Sequence, residues 1–434
     1  MRTAYALLTL LLSISAFAAE RVRVVVAVGY PEAAMSRGVG ERVKTVKLRT
    51  DVAQSLTSAS HVNAWGDGAF EAEIDASDVE RLRRDPRVRA VDIDTGGGGA
   101  MLESLPLVGM DIVRAQGFDG AGITVAVLDT GIDTDHPDFK DRIVAQQCYC
   151  DNGDGTGCCP GGDVARSGPG AAEDDMGHGT HVSGIIAGGG AVAPMGIAPK
   201  ANIVAVKVMD GANSFRSFTQ IFLGLDYIAR EHPEVDVINM SLGSYNLFAT
   251  TACNDSAIAK GLEPVIAQLR ARGVLITASS GNQASITGTT LPACMVPVIG
   301  VGATYDANLN YVNGVCSAPN AQRDEVACFT NSTDAVDLVA PGAMIVSSMR
   351  NGGFANMAGT SMAAPHVAGA IALMRMKSRG TMTADQIESV LRTTGKPVTD
   401  ARNGLTFRRL DIAAAMAATP KVELKRRRSV RNTP

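Results

Sequence analysis

The chain has 434 residues, 46% of them hydrophobic and 19% charged. That is enough apolar material for one large core and a smaller domain, which excludes disorder throughout. The formal charge is −4, and because six basic residues crowd into positions 421–434 against Glu423 alone, everything before them sums to −9. A body that acidic argues against nucleic acid as a partner.

Residues 1–19 carry Arg2, an apolar run and then Ala16-Phe17-Ala18 before a charged stretch, the layout of a cleavable secretory signal peptide. The run is too short to span a bilayer, so no stable membrane anchor is expected and the product is secreted, extracellular or periplasmic. Arg21 to Val28 is a β-branched strand, Phe70 to Ile74 alternates as a strand, Ser77 to Arg84 has helical spacing, and Val88 to Ile93 is a further strand. These make a small α+β domain over residues 20–101. It stops at Gly96 to Gly99, four residues without side chains to pack, as suits a linker or an accessible cleavage region.

Beyond the glycines, apolar strands at Ile123–Leu128, Ile203–Val208, Val235–Met240, Val274–Ala278, Val298–Ala303 and Val336–Val339 alternate with helical segments. Strands apolar on both faces imply an α/β fold with a mostly parallel central sheet and helices on both sides. Ligands then bind beyond the carboxyl ends of the strands. Residues 418–434 read as a basic, disordered tail.

All eight cysteines lie between Cys148 and Cys328, and in an exported chain they point to disulfides. Neighbours such as Cys158 and Cys159 bond each other poorly, so each is expected to pair with Cys148 or Cys150. Cys253 with Cys294 and Cys316 with Cys328 are plausible pairs for the rest, among the 105 connectivities that eight cysteines allow. Zinc is the rival for the first four, although their spacing is not that of common zinc sites.

Three segments carry chemistry: Asp129 directly after a strand, His178 in GHGTHVSG, and Ser361 in GTSMAAPHVAG. A serine hydroxyl is a weak nucleophile that needs an imidazole to take its proton. The imidazole in turn needs a carboxylate to fix its tautomer. Ser361 also precedes an apolar helical run, whose N-terminal amides would face a developing oxyanion.

With VLDTGID at 127–133, HGTHV at 178–182 and GTSMAAPH at 359–366, the chain resembles the subtilisin family of serine proteases (subtilases) from about Leu102 to Ala417. The resemblance implies a serine endopeptidase with the catalytic triad Asp129, His178 and Ser361, and a catalytic domain over residues 102–417. It implies Asn282, in ASSGN, as the side-chain oxyanion donor. It places substrate along Ser241, Leu242 and Gly243 on one side and Ala278, Ser279 and Gly281 on the other. Polypeptides bound there as an added strand are recognised mainly through their backbone. Gln283 leaves the rim neutral, so broad specificity with an apolar bias is expected rather than a preference for Lys or Arg.

The resemblance further implies that residues 20–101 are a propeptide, a folding assistant and intramolecular inhibitor that the enzyme removes from itself. No cofactor is required for the chemistry, and structural calcium is aligned with Glu103 and Asp138, although the loop that should complete that site is reduced to Gly188-Gly189-Gly190. His181 and His366 are not needed for the mechanism, and His61, His136 and His232 read as surface or turn residues. The molecule is expected to be a monomer. The competing class is an inactive subtilase-like binding or scaffold protein, whose mark would be a missing triad or oxyanion residue.

Overall fold

The computed structural model describes residues 21–28, 39–65, 69–93, 101–153 and 156–422. The expected signal segment, the glycine run 96–99 and the chain beyond Val422 lie outside the described residues. The protein divides into two compact units, Met1–Gly97 and Gly98–Pro434.

The first unit runs β1 (Arg21–Val28), α1 (Val39–Gln54), β2 (Ser60–Trp65), β3 (Ala69–Asp75), α2 (Asp78–Arg83) and β4 (Val88–Ile93). Its sheet is ordered β2-β3-β1-β4 and its strand pairs are antiparallel. This is the split βαβ arrangement. Every second residue of β1 faces inward, so Val24, Val26 and Val28 meet Phe70, Ala72 and Ile74 of β3, Val52 and Leu82 of the helices, and Leu56 just after α1 in one core. Helix α1 was not expected, because its apolar residues lack a clean helical period.

The second unit opens with α3 (Met101–Leu107), α4 (Met110–Ala115), β5 (Thr124–Asp129), β6 (Ile143–Tyr149), β7 (Ala165–Ser167) and α5 (His178–Ala187). It continues with β8 (Asn202–Lys207), α6 (Phe218–Glu231), β9 (Val235–Met240), β10 (Leu247–Phe248), α7 (Thr250–Cys253), α8 (Ala257–Ala271), β11 (Leu275–Ser279) and β12 (Thr289–Thr290). Then come β13 (Ile299–Tyr305), β14 (Leu309–Val312), β15 (Ser317–Ala321), β16 (Leu338–Ala343), β17 (Ile345–Met349), β18 (Gly353–Met357) and α9 (Thr360–Ser378). It closes with α10 (Ala384–Thr394), β19 (Lys396–Thr399), β20 (Thr406–Arg409) and α11 (Ile412–Ala418).

Ten strands form one sheet in the order β19-β20-β16-β13-β11-β9-β5-β8-β6-β7. The pairs β19/β20 and β6/β7 are antiparallel and the others parallel. Both faces are covered, which is why the strands read as continuous apolar runs. In β5, Val125 and Val127 point into the core shared with α5 and α9, while Ala126 and Leu128 point into the core shared with α6 and α8. The chain fills β6 and β8 on one side of β5, then crosses to β9 on the other. That reversal places a crevice at the carboxyl end of β5, where Asp129 stands.

Four disulfides join Cys148 to Cys159, Cys150 to Cys158, Cys253 to Cys294 and Cys316 to Cys328, as expected. The strand expected at Val336–Val339 instead begins at Leu338. Val336 belongs to a small separate cluster with Val339, Val398 and Phe407.

Candidate active site

Asp129 ends β5 and His178 begins α5, so two elements of the parallel sheet framework present them to each other. The His178 Nδ1 to Asp129 Oδ1 distance is 2.7 Å and both side chains are buried. The approach depends on two glycines of the GHGTH string. Gly177 holds φ 108° before the helix, a conformation costly to other residues. A Cβ on Gly179 would lie 2.1 Å from the Gly131 carbonyl and 3.0 Å from the Asp129 Cβ, so a side chain there would push the two loops apart.

A second carboxylate ties the loop of Asp129 to the helix of His178. Buried Asp174 accepts from Thr130 Oγ1 (2.9 Å), Thr180 Oγ1 (2.6 Å) and the amides of Met176, Gly177 and Thr180. Thr130 in turn donates its amide to Asp129 Oδ1 at 2.7 Å and accepts from the Gly179 amide at 2.9 Å. Lys207 supports the same loop from β8, where it is the register partner of Asp129. Its buried ammonium donates to the Thr130 carbonyl, Asp175 Oδ1 and the Met209 carbonyl at 2.7–2.8 Å. Sequence reasoning missed both residues; the only signal was a lysine closing an apolar strand.

These charges set the titration of His178. Burial opposes its protonation, but attraction and hydrogen bonding from Asp129, with a further contribution from Asp174, outweigh it and raise the pKa above the ordinary histidine value. Burial likewise disfavours the Asp174 carboxylate, and its five donors more than offset this, leaving its pKa lowered.

Ser361 occupies the second position of α9. The first amides of a helix lack intrahelical partners, so its N–H is placed as an anion donor. Its hydroxyl donates to the Ser241 carbonyl at 3.2 Å, whereas Ser241 Oγ donates back to the Ser361 carbonyl at 2.7 Å. Asn282 is exposed beside it. Its Oδ1 accepts from both the Thr360 amide and the Thr360 hydroxyl at 2.9 Å. An amide N–H can only donate, so the orientation of the Asn282 side chain is fixed with Nδ2 turned out as a free donor.

A cavity of about 210 Å³ adjoins both residues, with Ser241, Leu242, Gly243, Ser279 and Gly281 in its walls and Thr290 between them. Ala278, expected in the wall, is instead fully buried in the core beneath the sheet, because successive strand residues face opposite sides. Thr290, not expected there, shapes the same segment by donating its amide to the Ser280 carbonyl.

The residues aligned with calcium do not fit it. Asp138 is buried, and its carboxylate accepts from the amides of Ala191, Val192 and Ala193 and from Ser348 Oγ, at 2.6–3.0 Å, so its lone pairs are committed to the protein. Glu103 is exposed on α3. No group of three or more His, Cys, Asp or Glu side chains among the described residues is placed to hold a metal ion. Histidine 136, read from the sequence as a surface or turn residue, is at a turn but buried, accepting from the Asp138 amide and donating to the Gly353 carbonyl.

The Subtilase family model matches residues 120–409. The chain is 32% identical to the alkaline protease of Alkalihalobacillus alcalophilus over 376 residues, which is 84% of each chain. It is 32% identical to subtilisin E of Bacillus subtilis over 335 residues, 75% of each, and 33% identical to the major intracellular serine protease of Bacillus subtilis, over 63% of this chain and 74% of the relative. A crystal structure of a cold adapted subtilisin-like serine proteinase superposes with a TM-score of 0.51 at 29% identity, covering 68% of this chain and 89% of the other. With three motifs in order, a mostly parallel sheet that brings Asp129 onto His178, and these matches, the chain belongs to the subtilase family and is a serine endopeptidase.

Proposed function

We propose that Asp129, His178 and Ser361 are the catalytic triad and that the enzyme is an exported, self-processing endopeptidase of broad specificity. His178 takes the Ser361 proton as the hydroxyl attacks a peptide carbonyl to give a tetrahedral intermediate; the imidazolium then gives that proton to the amine as the C–N bond breaks, leaving an acyl-enzyme that water hydrolyses with His178 again as base. Asp129 holds Nδ1–H, which leaves Nε2 as the base. The Ser361 hydroxyl turns from the Ser241 carbonyl toward His178 when substrate binds; such bonds are commonly loose without substrate and tighten in the complex. The observation that carries this reading is the orientation of Asn282, whose Nδ2 and the Ser361 amide together supply two donors for the oxyanion.

Residues 1–19 act as the signal peptide and residues 20–101 as a propeptide that assists folding and inhibits the enzyme until cleaved. A parallel sheet depends on long-range contacts, so a partner that stabilises it half-formed lowers the folding barrier. Four disulfides support an oxidising destination, and among the described residues no helix is long and apolar enough to cross a membrane. The mature molecule works as a monomer on polypeptides in the medium. Expression of the full chain as Ser361→Ala tests the scheme. Processing at the 96–101 region is expected to stop, and normal processing of the variant isolated from other proteases would refute self-cleavage.

A further inference from the structure

The two wall segments of the cavity face each other across a slot, and one side chain closes its floor. Thr290 is 1% exposed, and its Oγ1 donates to the Ser279 carbonyl at 3.0 Å. A Cβ built on Gly243 would lie 2.5 Å from Thr290 Oγ1 and 2.7 Å from its Cβ, and one built on Gly281 would lie 2.6 Å from Thr290 Cγ2. The threonine therefore touches both walls at once, and glycine on each wall is what makes room even for it. Nor can it swing aside: its amide donates to the Ser280 carbonyl, its residue pairs with Leu247 in a short antiparallel ladder, and a β-branched side chain is stiff at χ1.

The floor matters because of where the reacting carbonyl must sit. Its carbon lies within reach of Ser361 Oγ and its oxygen points to Asn282 Nδ2. The side chain one bond beyond that carbon then enters the cavity that Ser361 and Asn282 share with Gly243, Gly281 and Thr290. Resting on the proposed roles of Ser361 and Asn282, we infer that Thr290 is a specificity-determining residue: it truncates this slot so that the enzyme cleaves after small residues such as Ala and Ser in preference to Leu, Met or Phe. This narrows the broad apolar bias read from the sequence. Charge does not compete with size here, since neutral Gln283 is turned back to accept from Asn331 Nδ2 at 2.6 Å.

The test is kcat/KM for tetrapeptide p-nitroanilides that differ only in the last residue, Ala, Leu or Phe, with enzyme concentration set by fluorophosphonate titration. Each excess methylene in such a slot is worth about 10- to 200-fold, so Ala is expected to exceed Phe by at least about tenfold. Thr290→Gly is expected to shift the Phe/Ala ratio toward Phe by about 10- to 100-fold. Thr290→Ser, which retains the hydroxyl that bonds Ser279 and loses only the methyl, is expected to fall between. A native enzyme that favours Phe overturns the inference, as does a ratio that neither variant moves. Absence of any titratable serine would count instead against the proposed triad.

Discussion

Thr360 grips Asn282 with two donors on one oxygen: its amide and its hydroxyl both reach Oδ1 at 2.9 Å. The residue before the expected nucleophile thus aims the amide that faces the expected oxyanion, and the Thr360 hydroxyl also accepts from the Gly281 amide at 3.1 Å. Asn282→Ala removes the Nδ2 donor while leaving the slot intact. We expect kcat to fall about a hundred- to a thousandfold, the size known for such a donor in subtilisin, with KM changed little. Steady-state kinetics on one anilide substrate checks this, and a loss confined to KM would assign Asn282 to binding alone.

The pH profile follows from His178. A general base works only when neutral, so kcat/KM falls as pH drops through its pKa. Because burial is outweighed by Asp129 and Asp174, that pKa is raised, and the midpoint of the acid limb is expected above about 6.5, the ordinary value. Asp174→Asn deletes one attracting charge and is expected to move the midpoint to lower pH. An unmoved profile would confine Asp174 to holding the loops.

Acid should unfold the enzyme through two other histidines. His181, whose Nε2–H faces the Ile345 and Ala355 carbonyls, is pushed down to about 3 by burial, with repulsion from His178 adding to it. His366, which donates Nδ1–H to the Met362 carbonyl, is pushed down to about 4 by burial. In the unfolded chain both titrate near 6.5. Below that pH the unfolded state binds protons that the folded state does not, so stability rises with pH. The contribution is complete above about pH 6.5 and drains away as pH falls toward 4 and then 3, at roughly 1.4 kcal/mol per pH unit for each histidine. Urea midpoints of the Ser361→Ala protein across this range, with His366→Gln flattening the slope, measure it.

Chelation is expected to leave the melting temperature unchanged, because the Asp138 carboxylate is satisfied by three amides and Ser348 rather than awaiting a cation. Burial disfavours that charge, yet these donors outweigh it and keep its pKa lowered. Asp138→Asn turns an amide group toward N–H donors and is expected to cost about 1–3 kcal/mol. Calorimetry with and without a chelator decides; a large drop on chelation would restore a metal.

What was legible in the sequence is what local pattern controls. Strands buried on both faces, such as β5 and β9, stand out as apolar runs, and the strings around Asp129, His178 and Ser361 mark the turns that carry chemistry. Strands that carry polar residues were harder: buried β17 holds Ser347 and Ser348 and pairs as a hairpin with the partly exposed β18, a composition that resembles loop. The remaining site residues have roles that exist only in three dimensions. Thr290 is one threonine among many until Gly243 and Gly281 close on it. Lys207 looks like a strand terminus until its ammonium meets the Thr130 carbonyl. Asp138 was misread because its position matched a metal ligand, while the fold of residues 188–193 turns amides rather than carbonyls toward it.

The most direct measurement is the site of covalent capture. The enzyme purified from full-chain expression is treated with a fluorophosphonate, digested and mapped by mass spectrometry. The expected result is a single adduct on Ser361 that disappears in His178→Ala, since the hydroxyl then has no base. An active preparation that takes up no probe, or one whose adduct maps to another residue, would contradict the assignment of Ser361 as nucleophile.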